Sequence, residues 1–230
     1  MLLLFVGLLL AGLLLYLAVT VIAVHRHPPL GAVSEPVALA DLGPARLREL
    51  PVQSESLSRA AMEPVSLVFV GSEERLDRLF AETGWKRAEQ INIVTGTRAY
   101  LAGIFGLSYS TGPAGAGYIG GRVQNVTYQR AVKSDSFRQR HHTRIWKTAF
   151  SHASEPVWVA TASFDRGLRL TPQLRLPTHR VDPDLNAERD YVTRTLQLPS
   201  EYVQVRGNTS GKLATGDHYY FDGRVAVVRL

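Results

Sequence analysis

Two runs of residues carry side chains able to do chemistry. The first is Arg140-His141-His142-Thr143-Arg144-Ile145-Trp146. In an extended chain alternate side chains share a face. Arg140, His142, Arg144 and Trp146 then point one way, and His141, Thr143, Ile145 and Lys147 the other. A face of Arg, His and Arg offers rigid forks of donors to a phosphate or carboxylate. The same face is equally a sheet surface on which cations stack on a tryptophan. The second run, Thr178–Asp190, sets His179 beside Asp182, Asp184, Glu188 and Asp190. Acids this dense next to a histidine invite acid/base or hard-metal chemistry: His179, Asp182 and Glu188 as catalytic candidates, Asp182 and Asp184 as candidate metal ligands. They also fit the start of a helix, with Asp182 as N-cap, Pro183 in the first helical position and Asp184 near the positive end of the dipole. Glu188, Arg189 and Asp190 would then cover its solvated side. The D-x-D-x-N spacing echoes a calcium loop, but Ala187 and Thr193 stand where that loop needs glycine and glutamate.

Other motifs fail on context. Gly115-Ala116-Gly117-Tyr118-Ile119-Gly120 matches G-x-G-x-x-G, yet a strand-like run follows where a dinucleotide fold needs a helix. Gly106-Leu107-Ser108-Tyr109-Ser110 lacks the closing glycine of a hydrolase nucleophile elbow. The chain has no cysteine, which excludes disulfides, thiolate nucleophiles and Cys-ligated zinc.

The elements that must hold these residues read as α+β. Val65–Val70 is a compact apolar strand, and Glu73–Glu82 a helix with Ser72 as N-cap and Gly84 ending it. Arg98–Phe105 reads as a second helix. Tyr118–Val132, Arg140–Ala149 and Val157–Phe164 are strands rich in Val, Thr, Tyr and Trp. Asp184–Leu196 returns to helix on the stripe Leu185, Val192 and Leu196. Glu201–Arg206 and Tyr219–Leu230 close the chain as strands, the second broken at Asp222-Gly223. Blocks of helix and strand predict a single domain, residues 61–230, on a mainly antiparallel sheet.

Ahead of that domain, residues 1–24 carry no charge and run into His25, Arg26 and His27. That length reads as one transmembrane helix, since a bilayer core of about 30 Å takes roughly 20 residues. A cleavable signal fits less well, with no basic residue before the run and no A-x-A site after it. Residues 25–60, punctuated by proline and glycine, read as a linker or stalk. Arg26 on the C-terminal flank favours a cytoplasmic domain by the positive-inside rule. All 26 Lys and Arg follow the apolar run, so the net charge of +6 belongs to the domain. Such a domain is attracted to anionic headgroups. Basic residues interleaved with Trp146, Tyr118 and Tyr128 would also suit single-stranded nucleic acid, a reading the membrane tether disfavours.

The order of segments resembles the LssY C-terminal-like domain family, a bacterial family of uncharacterised function. The likeness rests on Pro64–Ser72, Gly84-Trp85, Gly121-Arg122 with Gln124, Arg140-His141-His142 with Arg144 and Trp146, and Pro156-Val157-Trp158. Thr178-His179 and Asp182-Pro183-Asp184 with Ala187-Glu188-Arg189-Asp190 complete it. Arg180 and Asn186 depart from the family pattern, which carries histidine and aspartate there. The resemblance implies a bacterial cell-membrane location beside DedA or phosphatidic-acid-phosphatase modules, and work on lipid-phosphate chemistry. Two functions follow as expectations. One is an accessory module that needs no cofactor, with Arg122, Arg140, His142 and Arg144 binding an anionic lipid headgroup or docking a partner membrane protein. The other is a metal-assisted hydrolase of a phosphorylated or lipid-linked substrate, built on His179, Asp182, Asp184 and Glu188. Catalysis requires the two polar runs to converge; a binding surface requires exposed arginines.

Overall fold

The computed structural model describes residues 2–132, 137–170 and 177–230. The chain opens with α1 (Leu2–Arg26), β1 (Val37–Ala38), α2 (Pro44–Leu47) and β2 (Gln53–Glu55). There follow β3 (Ala61–Pro64), β4 (Leu67–Val70), α3 (Glu73–Glu82), β5 (Lys86–Arg87) and α4 (Ile93–Phe105). The middle of the chain gives β6 (Tyr118–Ile119), β7 (Arg122–Val123), β8 (Val126–Ala131), β9 (Gln139–His152) and β10 (Glu155–Leu170). It ends with β11 (Pro177–Val181), α5 (Leu185–Leu196), β12 (Ser200–Gln204), β13 (Thr209–Lys212), β14 (His218–Phe221) and β15 (Arg224–Arg229).

The α+β expectation holds. The main sheet runs β12-β15-β4-β10-β9-β8-β5, with β11 paired to β10 and β1 to β9. Its pairs are antiparallel except β15–β4 and β1–β9. The central strands are apolar on both faces because both faces are covered. Leu67 and Phe69 of β4 and Trp158 and Ala160 of β10 pack with Leu76 and Phe80 of α3 and Val192 and Leu196 of α5. Val68, Val70, Val157 and Val159 turn to the opposite face, against Leu39, Leu42, Leu47 and Leu50. Each such fully buried side chain contributes roughly 1.5–3 kcal/mol.

Residues 25–60 therefore differ from the stalk expected. Leu39, Leu42, Leu47 and Leu50 are each 5% exposed or less, and β1 adds in parallel to β9 through Val37↔Phe150. The prolines and glycines bend a segment that roofs one face of the sheet; the four leucines, spread between breakers, hold it there.

Helix α3 keeps its expected bounds, with Ser72 accepting from the Arg75 amide. Helix α4 begins earlier than Arg98, at Ile93, because Asn92 and Thr95 form a reciprocal capping box. Helix α5 is capped by Asp184 rather than Asp182, and its first helical residue is Leu185. Helix α1 has 25 residues and ends in His25 and Arg26. Its side chains are described only at 11–12 and 14–26, and among the described residues no helix is long and apolar enough to cross a membrane.

Candidate functional site

The β8–β9–β10 register assembles a buried polar centre. In the β9–β10 ladder Arg140 stands opposite Asp165, and His142 opposite Ser163; on the other side Gln129 of β8 pairs with His142. A register irregularity in β10 between Asp165 and Leu168 brings His179 of β11 to the same carboxylate. Asp165 Oδ2 lies 3.3 Å from Arg140 Nε, His142 Nδ1 and His179 Nδ1 alike. His142 Nε2 meets Ser163 Oγ at 2.7 Å, and Ser163 Oγ donates to Glu63 Oε1 at 3.1 Å. Glu63 Oε2 in turn accepts from Arg144 Nη1 at 3.1 Å.

The two polar runs do converge, on Asp165. They do so in the interior. Arg140, His142 and Arg144 are each 5% exposed or less, and so are Glu63, Ser163 and Asp165. The cationic face of β9 is thus turned inward, where a buried guanidinium needs a carboxylate close by. Arg122, by contrast, is exposed.

The glycine-rich run covers this centre with backbone carbonyls. Arg140 Nη1 donates to Gly112 O at 3.3 Å and to Gln129 Oε1 at 2.7 Å, and Arg144 Nε to Gly115 O at 3.0 Å. Glycine permits that approach: a Cβ at Gly112 would come within 2.7 Å of Phe137 and 2.8 Å of Tyr109. Phe137 also lies against the Arg140 guanidinium and the His179 ring.

Burial pushes the His179 ring down to about 4, Asp165 opposing and Arg140 reinforcing the shift. Its side chain keeps 22% exposure, yet its Nδ1 is buried with Phe137 against the ring, so it is the polar edge that burial acts on. Burial would raise the Asp165 carboxyl, but the two histidines and Arg140 outweigh it and hold it well below the usual carboxylate range. With His179 neutral at pH 7, Arg140 remains a cation beside that carboxylate. Burial likewise opposes, and Arg144 prevails in, the lowering of Glu63.

The order Asp165–His142–Ser163 has the connectivity of a nucleophile relay. It lacks what a nucleophile needs. Ser163 is 0% exposed and also hydrogen-bonded to the Glu63 carboxylate, which would repel an oxyanion. The relay is a buried polar core in which each charge has an oppositely charged or hydrogen-bonding neighbour, although His142 Nδ1, His179 Nδ1 and Asp165 Oδ1 make no hydrogen bond.

The acidic run is dispersed over three tasks. Asp182 Oδ1 accepts from the Asp184 amide at 3.0 Å. Asp184 Oδ1 accepts from the amides of Asn186 and Ala187 at 3.1 and 2.9 Å. Glu188 faces away from His179 and binds His141 Nδ1 at 2.8 Å, the imidazole lying stacked between Phe164 and Tyr191. Among the described residues no group of three or more His, Asp or Glu is arranged to hold a metal ion. Arg189 and Glu188, expected on the solvated side, are 0% and 4% exposed. Glu63, Ser163 and Asp165 were the residues that sequence reasoning missed; polar side chains in runs otherwise apolar were their signal.

The family model of the LssY C-terminus matches residues 47–225. The chain belongs to that family. No curated protein and no solved structure matches it. The LssY C-terminus match takes in the whole buried centre, from Glu63 to His179, and the cap of α5. Helix α1 and the roof over the sheet up to Arg46 precede it.

Proposed function

We propose that this chain is a membrane-anchored accessory domain that recognises anionic lipid headgroups through the face at which α1 leaves the domain. One contact carries this reading. His27, directly after α1, is fastened to the β6–β7 turn: its Nδ1 lies 3.0 Å from Gly121 O, and its carbonyl accepts from the Val123 amide at 3.0 Å. Arg26 and Arg122, each one residue from that contact, are both exposed. If the apolar run of α1 lies in lipid, these two arginines stand at headgroup depth, where each gains about 1 kcal/mol of attraction to an anionic leaflet. Arg140 and Arg144, neutralised in the core, serve to stiffen the sheet behind that face. By the positive-inside rule the same two arginines favour the cytoplasmic side.

The test is electron spin resonance on the full chain in vesicles carrying trace spin-labelled phosphatidylglycerol or phosphatidylcholine. Preferential immobilisation of the anionic lipid, weakened by salt and in Arg26→Gln/Arg122→Gln, is expected. Equal immobilisation of both lipids would overturn the headgroup reading.

A further inference from the structure

Helix α4 is built inside out. Its small residues, Gly96, Ala99, Ala102 and Gly103, are its buried ones. Large apolar side chains point outward instead: Ile93 is 52% exposed, Val94 75%, Leu101 42%, Ile104 40% and Phe105 68%, and Leu107 just beyond is 54% exposed. A helix covered by water shows the reverse pattern. The small face packs inward closely: a Cβ at Gly96 would lie 2.6 Å from Leu17 Cδ2 of α1, which would have to shift, and one at Gly103 would be in ordinary contact with Phe137 and Leu168 at 3.8 Å.

That contact with Leu17 fixes the depth of α4 relative to α1. From Leu17 onward α1 rests on the domain, with Leu17 3% and Ala23 6% exposed and His27 held at Gly121. Ahead of that contact Leu14, Leu15 and Tyr16 are 55%, 67% and 53% exposed, and the 25 residues of α1 rise about 37 Å. A bilayer core is about 30 Å thick. The apolar surface of α1 does not stop at Leu17, since Val19 is 47% and Ile22 51% exposed. A helix immersed to Ile22 takes with it what is packed at Leu17.

We infer that α4 enters the bilayer beside α1, its outward face of Ile93, Val94, Leu101 and Phe105 in contact with acyl chains, so that the domain is held at two points. The inference rests on the reading of α1 as a membrane element, and not on which headgroup is bound. Two attachments remove the swivel that one helix allows. They press the Arg122 turn and the glycine-rich run toward the lipid surface. Apolar area that would be a liability in water becomes the docking face.

The native chain has no cysteine, so single sites can be labelled cleanly. Val94→Cys and Phe105→Cys, with exposed Glu82→Cys on α3 as control, carry an environment-sensitive fluorophore in the full chain reconstituted in vesicles. One set is phosphatidylcholine alone and the other includes phosphatidylglycerol. Labels at 94 and 105 are expected to be blue-shifted and at least fivefold less accessible to an aqueous quencher than the label at 82, in both vesicle types. Shielding in both, with no lipid selectivity of the chain, would leave insertion standing and the headgroup reading overturned. Labels at 94 and 105 quenched as freely as that at 82 would overturn insertion, whatever the selectivity. Shielding that vanishes as protein is diluted in lipid would overturn it too, assigning α4 to a second copy of the chain.

Discussion

Asp165 and Arg140 stand opposite one another in the β9–β10 ladder, Arg140 Nε 3.3 Å from Asp165 Oδ2, with 1% and 4% of their side chains exposed. Removing one partner of such a pair strands the other charge away from water, which costs more than the pair itself is worth. Asp165→Asn is expected to destabilise the domain by about 3–5 kcal/mol, read as a fall in the thermal midpoint of near-ultraviolet dichroism. Asp165→Asn with Arg140→Met removes both charges and recovers at least half of that loss. A double variant no more stable than the single one would show that the pair does not carry the effect.

A histidine beside this carboxylate sets the acid response, through its burial and against the pull of Asp165. His179 is held near 4 when folded and titrates near 6.5 when unfolded. Because the unfolded chain binds that proton more readily, the stabilising contribution is fully present above about pH 6.5 and is lost as pH falls from there toward 4. It amounts to about 3 kcal/mol at most. His179→Gln should flatten the dependence of the unfolding midpoint on pH between 6.5 and 4, and an unchanged slope would count against it.

Much of this fold was legible because hydrophobic period and breakers carry it. Helix α3 ran from Glu73 to Glu82 as read, capped by Ser72, and the break at Asp222-Gly223 separates β14 from β15. Alternation along Arg140–Trp146 was also legible: Ile145 faces the α3/α5 side and Trp146 the other. What alternation cannot reveal is which face meets water. That depends on Glu63 and Asp165, distant in sequence and brought in by strand pairing. The acidic run was ambiguous for a related reason. Asp182 and Asp184 spend their oxygens on backbone amides, as a helix start does, and only three-dimensional pairing shows Glu188 committed to His141.

The glycine-rich run makes a sharper prediction about packing. A methyl at Gly112 would sit 2.7 Å from Phe137 and 2.8 Å from Tyr109, rings that are themselves buried. Gly112→Ala is expected to cost about 1–3 kcal/mol by overpacking, while Gly115→Ala, which meets nothing within 4 Å, costs under about 0.5 kcal/mol. Tryptophan fluorescence during chemical denaturation separates the two, since Trp85, Trp146 and Trp158 are all buried.

Arg189 gives the last. Its side chain is 0% exposed, and its guanidinium spends every edge: Nε on Asp190 at 2.8 Å, Nη1 and Nη2 on the Asp222 carboxylate at 2.7 and 3.2 Å, and Nη1 again on Arg224 O at 2.9 Å. Burial would raise Asp222, but these hydrogen bonds and those from Arg224 prevail and hold it at about 2. Helix α5 is thereby clamped to the turn between β14 and β15. A lysine keeps the charge but offers a point where the site requires a fork. Arg189→Lys is therefore expected to lose about 2 kcal/mol, the worth of one charged hydrogen bond, and Arg189→Met about 3 kcal/mol, because Asp222 then keeps only Arg224 and the charged hydrogen bonds to α5 are gone. Both should accelerate hydrogen exchange most in α5 and at residues 222–224; a uniform acceleration across the sheet would place the clamp's energy elsewhere.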